Sequence, residues 1–338
     1  MTSRERVRNV LNHKEVDRFP RHLWSLPNVA MFKKEALADF YARFDIDITG
    51  PDMSFGQSKY SKGVACVIGR YTDEFGCIWD VTEDGVIGEV KKAIFEDWSE
   101  LDNYRMPWEI LDTMDLSRVN ESCKNTDKFV IAGTHIRPFE RMQFMRGTEN
   151  LFMDLALGDP HVERLSKMLH EFSMRQLEAL VNTDIDAVSF MDDWGTQLTL
   201  LISPNIWRQV FKPLYKEYCD LAHSKGKYVF FHSDGNIELI YPDLIEIGVD
   251  ALNSQLFCMD IEGLAEKYGD KITFWGEIDR QNTIPFGSAD DVRAAVDRVA
   301  SAIIKKNQMR TGAIAQCEWN AFDPYENILA VFDQWNKK

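Results

Sequence analysis

The chain of 338 residues is 45% hydrophobic and 28% charged, a balance that supplies a sizeable core and excludes a disordered or fibrous protein. Its 54 acidic against 39 basic residues leave a net charge of −15, so it lacks the basic footprint of a nucleic-acid binder and would be repelled by anionic lipid. No uncharged stretch reaches the roughly 18 residues of a membrane-spanning helix. Met1-Thr2-Ser3-Arg4-Glu5-Arg6 mixes charges where a secretion signal would be apolar, and the six scattered cysteines read as free thiols; the expectation is a cytoplasmic protein.

Thr2 and Glu5 have capping-box spacing, and Val7, Val10 and Leu11 form one apolar stripe, which predicts a first helix ending near His13. Strands are expected at Arg21–Ser25 and Phe44–Ile48. Between Cys77 and Ala93 two β-rich runs flank Asp84-Gly85, a hairpin signal and an excursion from the main sheet. From Phe129 onward strands alternate with helices: Phe129–Gly133, Ala187–Met191, Tyr228–His232, Asp250–Asn253, Ile272–Glu277 and Ala313–Cys317. Helix starts stand at Asp159-Pro160, Ser203-Pro204, Asp260 and Ser288, the last with Asp291 three residues on, and Gly226 and Gly269 mark two helix ends. Alternation of this kind forces parallel pairing by right-handed crossovers. The expected fold is an α/β (β/α)8 TIM barrel with an N-terminal helical and β-hairpin elaboration, residues 1–338 forming one domain. An open doubly wound sheet is the structural alternative, but no GxGxxG or GxxxxGK[ST] loop opens a helix here.

In such a barrel the chemistry sits at the C-terminal strand ends, and these are polar: Asp192-Asp193-Trp194, His232-Ser233-Asp234, Asn253, Glu277-Ile278-Asp279 and Cys317-Glu318-Trp319. His232, Asp234, Glu277 and Cys317 offer one imidazole, two carboxylates and a thiolate, a donor set that suits zinc better than magnesium or calcium. Singly, each also reads as an ordinary buried residue. Asp192 and Asp193 are candidates for a general acid and base or for binding substrate, with a helix-capping turn as the bland alternative. His135, Arg137 and Glu140 follow another strand end, as substrate contacts or as a structural salt bridge, and Trp24, Trp194 and Trp319 are candidate walls of an apolar pocket.

The segments TSRERVRNVLNHKEVDRFPRHLW, MDDWGTQLTLLISPNIWRQVFKPLYK, GKYVFFHSDGNIELIYPDLIEIGVDALN and ITFWGEIDRQNTIPFG resemble the uroporphyrinogen decarboxylase superfamily. The resemblance implies a (β/α)8 barrel, and either a decarboxylase or a zinc-dependent methyltransferase working with a corrinoid protein. The decarboxylases carry PxWxMRQAGR near the N-terminus; here Phe19-Pro20-Arg21-His22-Leu23-Trp24-Ser25-Leu26-Pro27 has no MRQAGR, which demotes that branch. The methyltransferases bind zinc through His-x-Cys and a distant Cys. This chain has His232 and Cys317 but Asp234 in the nearer Cys position, and Glu277 where the family usually has Gly.

The resemblance therefore implies a zinc enzyme with His232, Cys317, Glu277 and Asp234 as ligands, harder than the thiolate-rich sites that activate thiols and so suited to an oxygen. The expected activity is transfer of a methyl group between a small molecule and a corrinoid protein, with O-demethylation of a methoxylated compound, aromatic ones included, preferred. Asp192 or Asp193 would orient the substrate or protonate the leaving phenolate. The corrinoid would belong to the partner, since no DxHxxG motif is present. The rival readings are a metal-free decarboxylase of a small carboxylate and a catalytically silent ligand-binding barrel.

Overall fold

The first helix, Ser3–Leu11, begins with the expected reciprocal cap: the Glu5 amide donates to Thr2 Oγ1 (3.2 Å) and the Thr2 amide to Glu5 Oε2 (2.8 Å). Its apolar stripe is buried against the lower end of a barrel, each such side chain contributing about 1.5–3 kcal/mol. The structure is a computed structural model that describes residues 1–338. Its barrel strands are β1 (Arg21–Ser25), β2 (Ile48–Thr49), β3 (Phe129–Gly133), β4 (Ala187–Met191), β5 (Tyr228–Ser233), β6 (Ala251–Ser254), β7 (Thr273–Trp275) and β8 (Ala313–Trp319).

The eight strands pair in parallel in the order β2-β3-β4-β5-β6-β7-β8-β1, the nearly closed (β/α)8 barrel that the strand–helix alternation predicts. Between β1 and β2 no ladder forms. The gap is fastened by Asp47, whose amide donates to the Arg21 carbonyl (2.9 Å) and whose buried carboxylate accepts from the Arg21 amide (2.7 Å), Arg6 (2.6 Å) and Arg18 (2.6 Å). The second strand is accordingly displaced from the alternating segment Phe44–Ile48 expected to form it: Phe44 and Ile46 turn into the outer core while Asp47 is spent on the seam.

Phe129, Phe230, Trp275 and Ile314 fill the barrel, and a larger apolar layer lies between the strands and the surrounding helices. The helices start where their capping residues stand, at Asp159, Ser203, Asp260 and Ser288, each accepting from an amide of its first turn. β7 stops at Trp275 because Gly276 turns into the left-handed region (φ +75°), where a Cβ would meet the Gln316 side chain. Between β2 and β3 the expected hairpin forms from Ile78–Val81 and Glu89–Lys92, with a third antiparallel strand, Gly69–Thr72. It is tied to the helix Pro138–Arg146 by Arg141, which pairs with Asp73 (2.7 Å) and Glu74 (2.9 Å). No helix is long and apolar enough to cross a membrane.

Candidate active site

Side chains of a strand alternate between the barrel interior and the helix layer, and this phase decides which strand-end residues can meet. On β5 Phe230 and His232 point inward and Asp234 continues the series; on β4 it is Ser189, Met191 and then Asp193; on β8, Ile314, Gln316 and Glu318. Cross-strand register sets Met191 beside His232, His232 beside Asn253 and Trp24 beside Glu318. The inward residues open into a cavity of about 690 Å³ at the C-terminal mouth, lined on one side by Asp193, His232, Asp234, Arg137, Glu140, Arg280 and Glu318.

At its floor the donor atoms of Asp193, His232 and Asp234 lie within 4.8 Å of one another, a spacing that could hold a metal ion. His232 Nε2 is 3.6 Å from Asp193 Oδ1 and 3.4 Å from Asp234 Oδ1. Its other nitrogen, Nδ1, is 2.6 Å from Asn253 Oδ1. The Asn253 amide nitrogen donates to Gln316 Oε1 (3.2 Å) and to the Trp275 carbonyl, so its oxygen must be the atom facing the imidazole. Nδ1 therefore carries a proton, which leaves Nε2 as the ring nitrogen facing the two carboxylates, the arrangement in which a histidine can bind a metal. Trp24 packs edge-on against the ring at 5.1 Å and Trp275 against Trp24 at 4.9 Å, which fixes the platform beneath.

Negative charge is in excess here. Asp234 Oδ1 is buried with no hydrogen-bond partner. Burial, relieved in part by His232, holds the Asp193 carboxyl above its usual range, and burial together with the charge of Asp193 pushes Glu140 up to about 8. Arg280 partly offsets this: it pairs with Asp234, with Glu318 (2.6 Å) and with Glu277 (3.2 Å). The sequence assigns no role to Arg280, and names Glu318 only as part of a polar strand end. Glu318 was detectable by its even spacing from Ile314 and Gln316; Arg280 lies in a loop whose path no local pattern gives.

The expected ligand set is thus divided. His232 and Asp234 meet, and Asp193 joins them. Glu277 stands apart: it is buried against Arg280 and does not line the cavity, and burial raises its carboxyl well above the usual range, with Arg280 opposing. Cys317 is out of phase with Gln316 and Glu318; its side chain lies wholly buried in the outer apolar layer, where burial raises the thiol well above its ordinary value, so the structure does not bring it to the metal donors.

Asp192 likewise points away from the cavity and accepts from the amides of Phe139 (2.8 Å) and Glu140 (2.7 Å) and from the Tyr215 hydroxyl. It caps the first turn of the helix Pro138–Arg146, leaving Asp193 as the member of the pair that faces the cavity. Trp24 and Arg137 line the cavity, and Arg137 is only loosely paired with Glu140 (3.8 Å). Two expected wall residues and one expected substrate contact lie elsewhere. Trp194 stacks on Phe139 (4.2 Å) and Trp319 on Tyr325 (5.3 Å), both in the helix layer, while His135 is bound to Gln176 (2.7 Å) behind Phe55 and held down to about 4 by burial.

The family model described as uroporphyrinogen decarboxylase (URO-D) matches residues 68–334, most of the chain. The chain belongs to the URO-D family. Among solved structures, a methyltransferase from Methanosarcina mazei superposes on this URO-D chain with a TM-score of 0.72 at 16% identity, over 100% of this chain and 99% of that one. A family 10 endo-β-1,4-xylanase from Gloeophyllum trabeum gives 0.46 at 10% identity, over 95% and 97%. No curated protein sequence matches this URO-D member.

Proposed function

We propose that this URO-D family protein is a zinc-dependent methyltransferase that moves a methyl group between a small molecule and a corrinoid carried by a partner protein, with an ether, above all a methoxylated aromatic, as the methyl donor. The observation that carries the reading is the buried Oδ1 of Asp234, which makes no hydrogen bond, beside His232 Nε2, the ring nitrogen that the Asn253 contact leaves facing it. Four carboxyl groups face the cavity (Asp193, Asp234, Glu140 and Glu318) against two guanidiniums (Arg137 and Arg280), a surplus of acids that favours a bound cation. Asp193, His232 and Asp234 would hold zinc, without Glu277 or Cys317. The Methanosarcina mazei structure that shares this fold bears the name methyltransferase, which supports methyl transfer as the reaction class.

When bound, zinc would supply Lewis acidity toward an ether oxygen, a hard partner for this oxygen- and nitrogen-donor set. The chain's own groups do the rest. Asn253 holds the His232 tautomer and Arg280 the orientation of Asp234. Glu140, which burial keeps protonated near neutral pH, is placed to give its proton to the leaving alkoxide or phenolate. The test is zinc content and methyl transfer from 1,2-dimethoxybenzene to cob(I)alamin. One zinc per chain in the wild type, absent in His232→Ala together with transfer, supports the reading; transfer by a protein free of zinc overturns it.

A second reading rests on Arg137, whose guanidinium faces the cavity without a close carboxylate: a metal-free decarboxylase in which Arg137 holds a small carboxylate substrate beside Asp193. It predicts carbon dioxide release that a chelator leaves unchanged.

A further inference from the structure

The wall of the cavity opposite the charged floor comes from outside the barrel. The tip of the hairpin excursion, Gly85 to Gly88, reaches over the mouth, where Val86 and Ile87 line the cavity with 39% and 55% of their surfaces exposed. Two β-branched apolar side chains at the tip of a hairpin keep a large share of their surface exposed in the free chain, yet the tip is firmly seated. Gly85, at φ +83°, lies so close to Asn28 that a Cβ would stand 2.3 Å from the Asn28 Cβ, and its amide donates to the Cys66 carbonyl (2.7 Å). Asp84 accepts from the Ile68 amide (2.8 Å), and the Tyr71 hydroxyl donates to the Ile87 carbonyl (3.3 Å). Asn28 is itself fixed between strand ends by the Ala321 amide (3.1 Å) and by Asn320 (3.1 Å). Leu26 and Pro27, at the start of the helix Pro27–Phe32 that follows β1, with Trp24 below them, continue the same apolar surface toward His232.

We infer that Val86 and Ile87 are specificity-determining residues that select a substrate with an apolar ring-sized body, its reacting group turned toward Asp193, His232 and Asp234. The inference rests on the proposed site and names its substrate class. The volume suits such a molecule, since small-molecule sites span about 300–1,000 Å³ and are apolar apart from a few placed polar groups. Here those groups are gathered at one pole, and the tip closes the other.

The test is equilibrium binding to the full chain by calorimetry, with 1,2-dimethoxybenzene as the ring-bearing probe and 2-methoxyethanol as a small ether without a ring. The wild type binds the aromatic ether more tightly, and Val86→Ser/Ile87→Ser weakens that probe at least about tenfold while changing 2-methoxyethanol little. Ile87→Phe, which keeps the wall apolar, retains aromatic binding, and an unchanged melting temperature shows that the tip still folds. Equal binding of the aromatic probe by wild type and the double serine variant overturns the proposal, as does a wild type that binds neither probe or does not distinguish them. No corrinoid or turnover enters the measurement. A protein that binds as described but transfers no methyl group refutes the proposed reaction and leaves the subsite standing.

Discussion

The two ends of the barrel are both crowded with charge, and they treat it in opposite ways. At the N-terminal end Asp47 is met by Arg6, Arg18 and the Arg21 amide, and Asp186 by Arg4 (3.0 Å), Arg8 (2.6 Å) and the Val130 amide (2.8 Å). At the C-terminal end acids outnumber bases, one buried carboxylate oxygen has no partner, and carboxyl groups are pushed upward in pKa. Charge that is fully matched holds the fold; charge left in surplus is what a site for a cation or a proton requires.

The largest effect should come from removing the imidazole at the mouth: His232→Ala loses its zinc and its methyl transfer while its melting temperature in the metal-free form stays near that of the wild type, as metal analysis and calorimetry would show. At the opposite end, Asp47→Ala should leave the metal site intact and cost about 3–5 kcal/mol, because two arginines lose their buried partner; urea unfolding reads this directly. An Asp47→Ala protein with unaltered stability would break the contrast. Asn253→Ala, one bond removed from the donors, should weaken zinc about 10–100-fold by freeing the His232 tautomer, measured by competition with a chelating dye.

The surplus charge also has a pH signature. Glu140 has an ordinary value of 4.5 and is raised to about 8 in the folded chain, so the folded state holds its proton more tightly than the unfolded one. Its stabilising contribution is complete below about 4.5 and is lost as pH rises through about 8. The metal-free protein should melt lower at pH 9 than at pH 6, and zinc, by compensating the neighbouring carboxylates, should shrink that difference. The smallest effect is expected of Cys317→Ala: about 1 kcal/mol of packing and full retention of zinc, since that thiol sits in the helix layer. Loss of zinc in this variant would restore the thiolate to the ligand set.

The barrel was legible because strand and helix periods alternate and because caps such as Thr2-Glu5, Asp159-Pro160 and Ser288-Asp291 are local chemistry. On β5 the site was legible too: His232 and Asp234 are two apart, so any strand that turns one inward turns both. On β8 it was not. Ala313-Ile314-Ala315 is apolar on both faces, as strands buried on both sides are, so the pattern does not announce which of Cys317 and Glu318 faces the lumen, and the thiol drew attention by its chemistry alone. The same half-period separates Asp192, a helix cap, from Asp193, and it turns Trp194 and Trp319 into the outer layer. Arg280 joins three carboxylates from three segments, a relation that exists only in the folded chain.

The missing ladder between β1 and β2 bears on how the molecule is made. Its first strand pairs with its last, Arg21 lying beside Ala315 and Ser25 beside Trp319, so during synthesis the opening strand has no ladder to join until nearly the whole chain has left the ribosome. Until then the early segment has only Asp47 and the short β2 to lean on. Truncations before β8 should therefore release the N-terminal helix and β1 as a unit to proteases, and the barrel becomes a ring only when its final strand arrives.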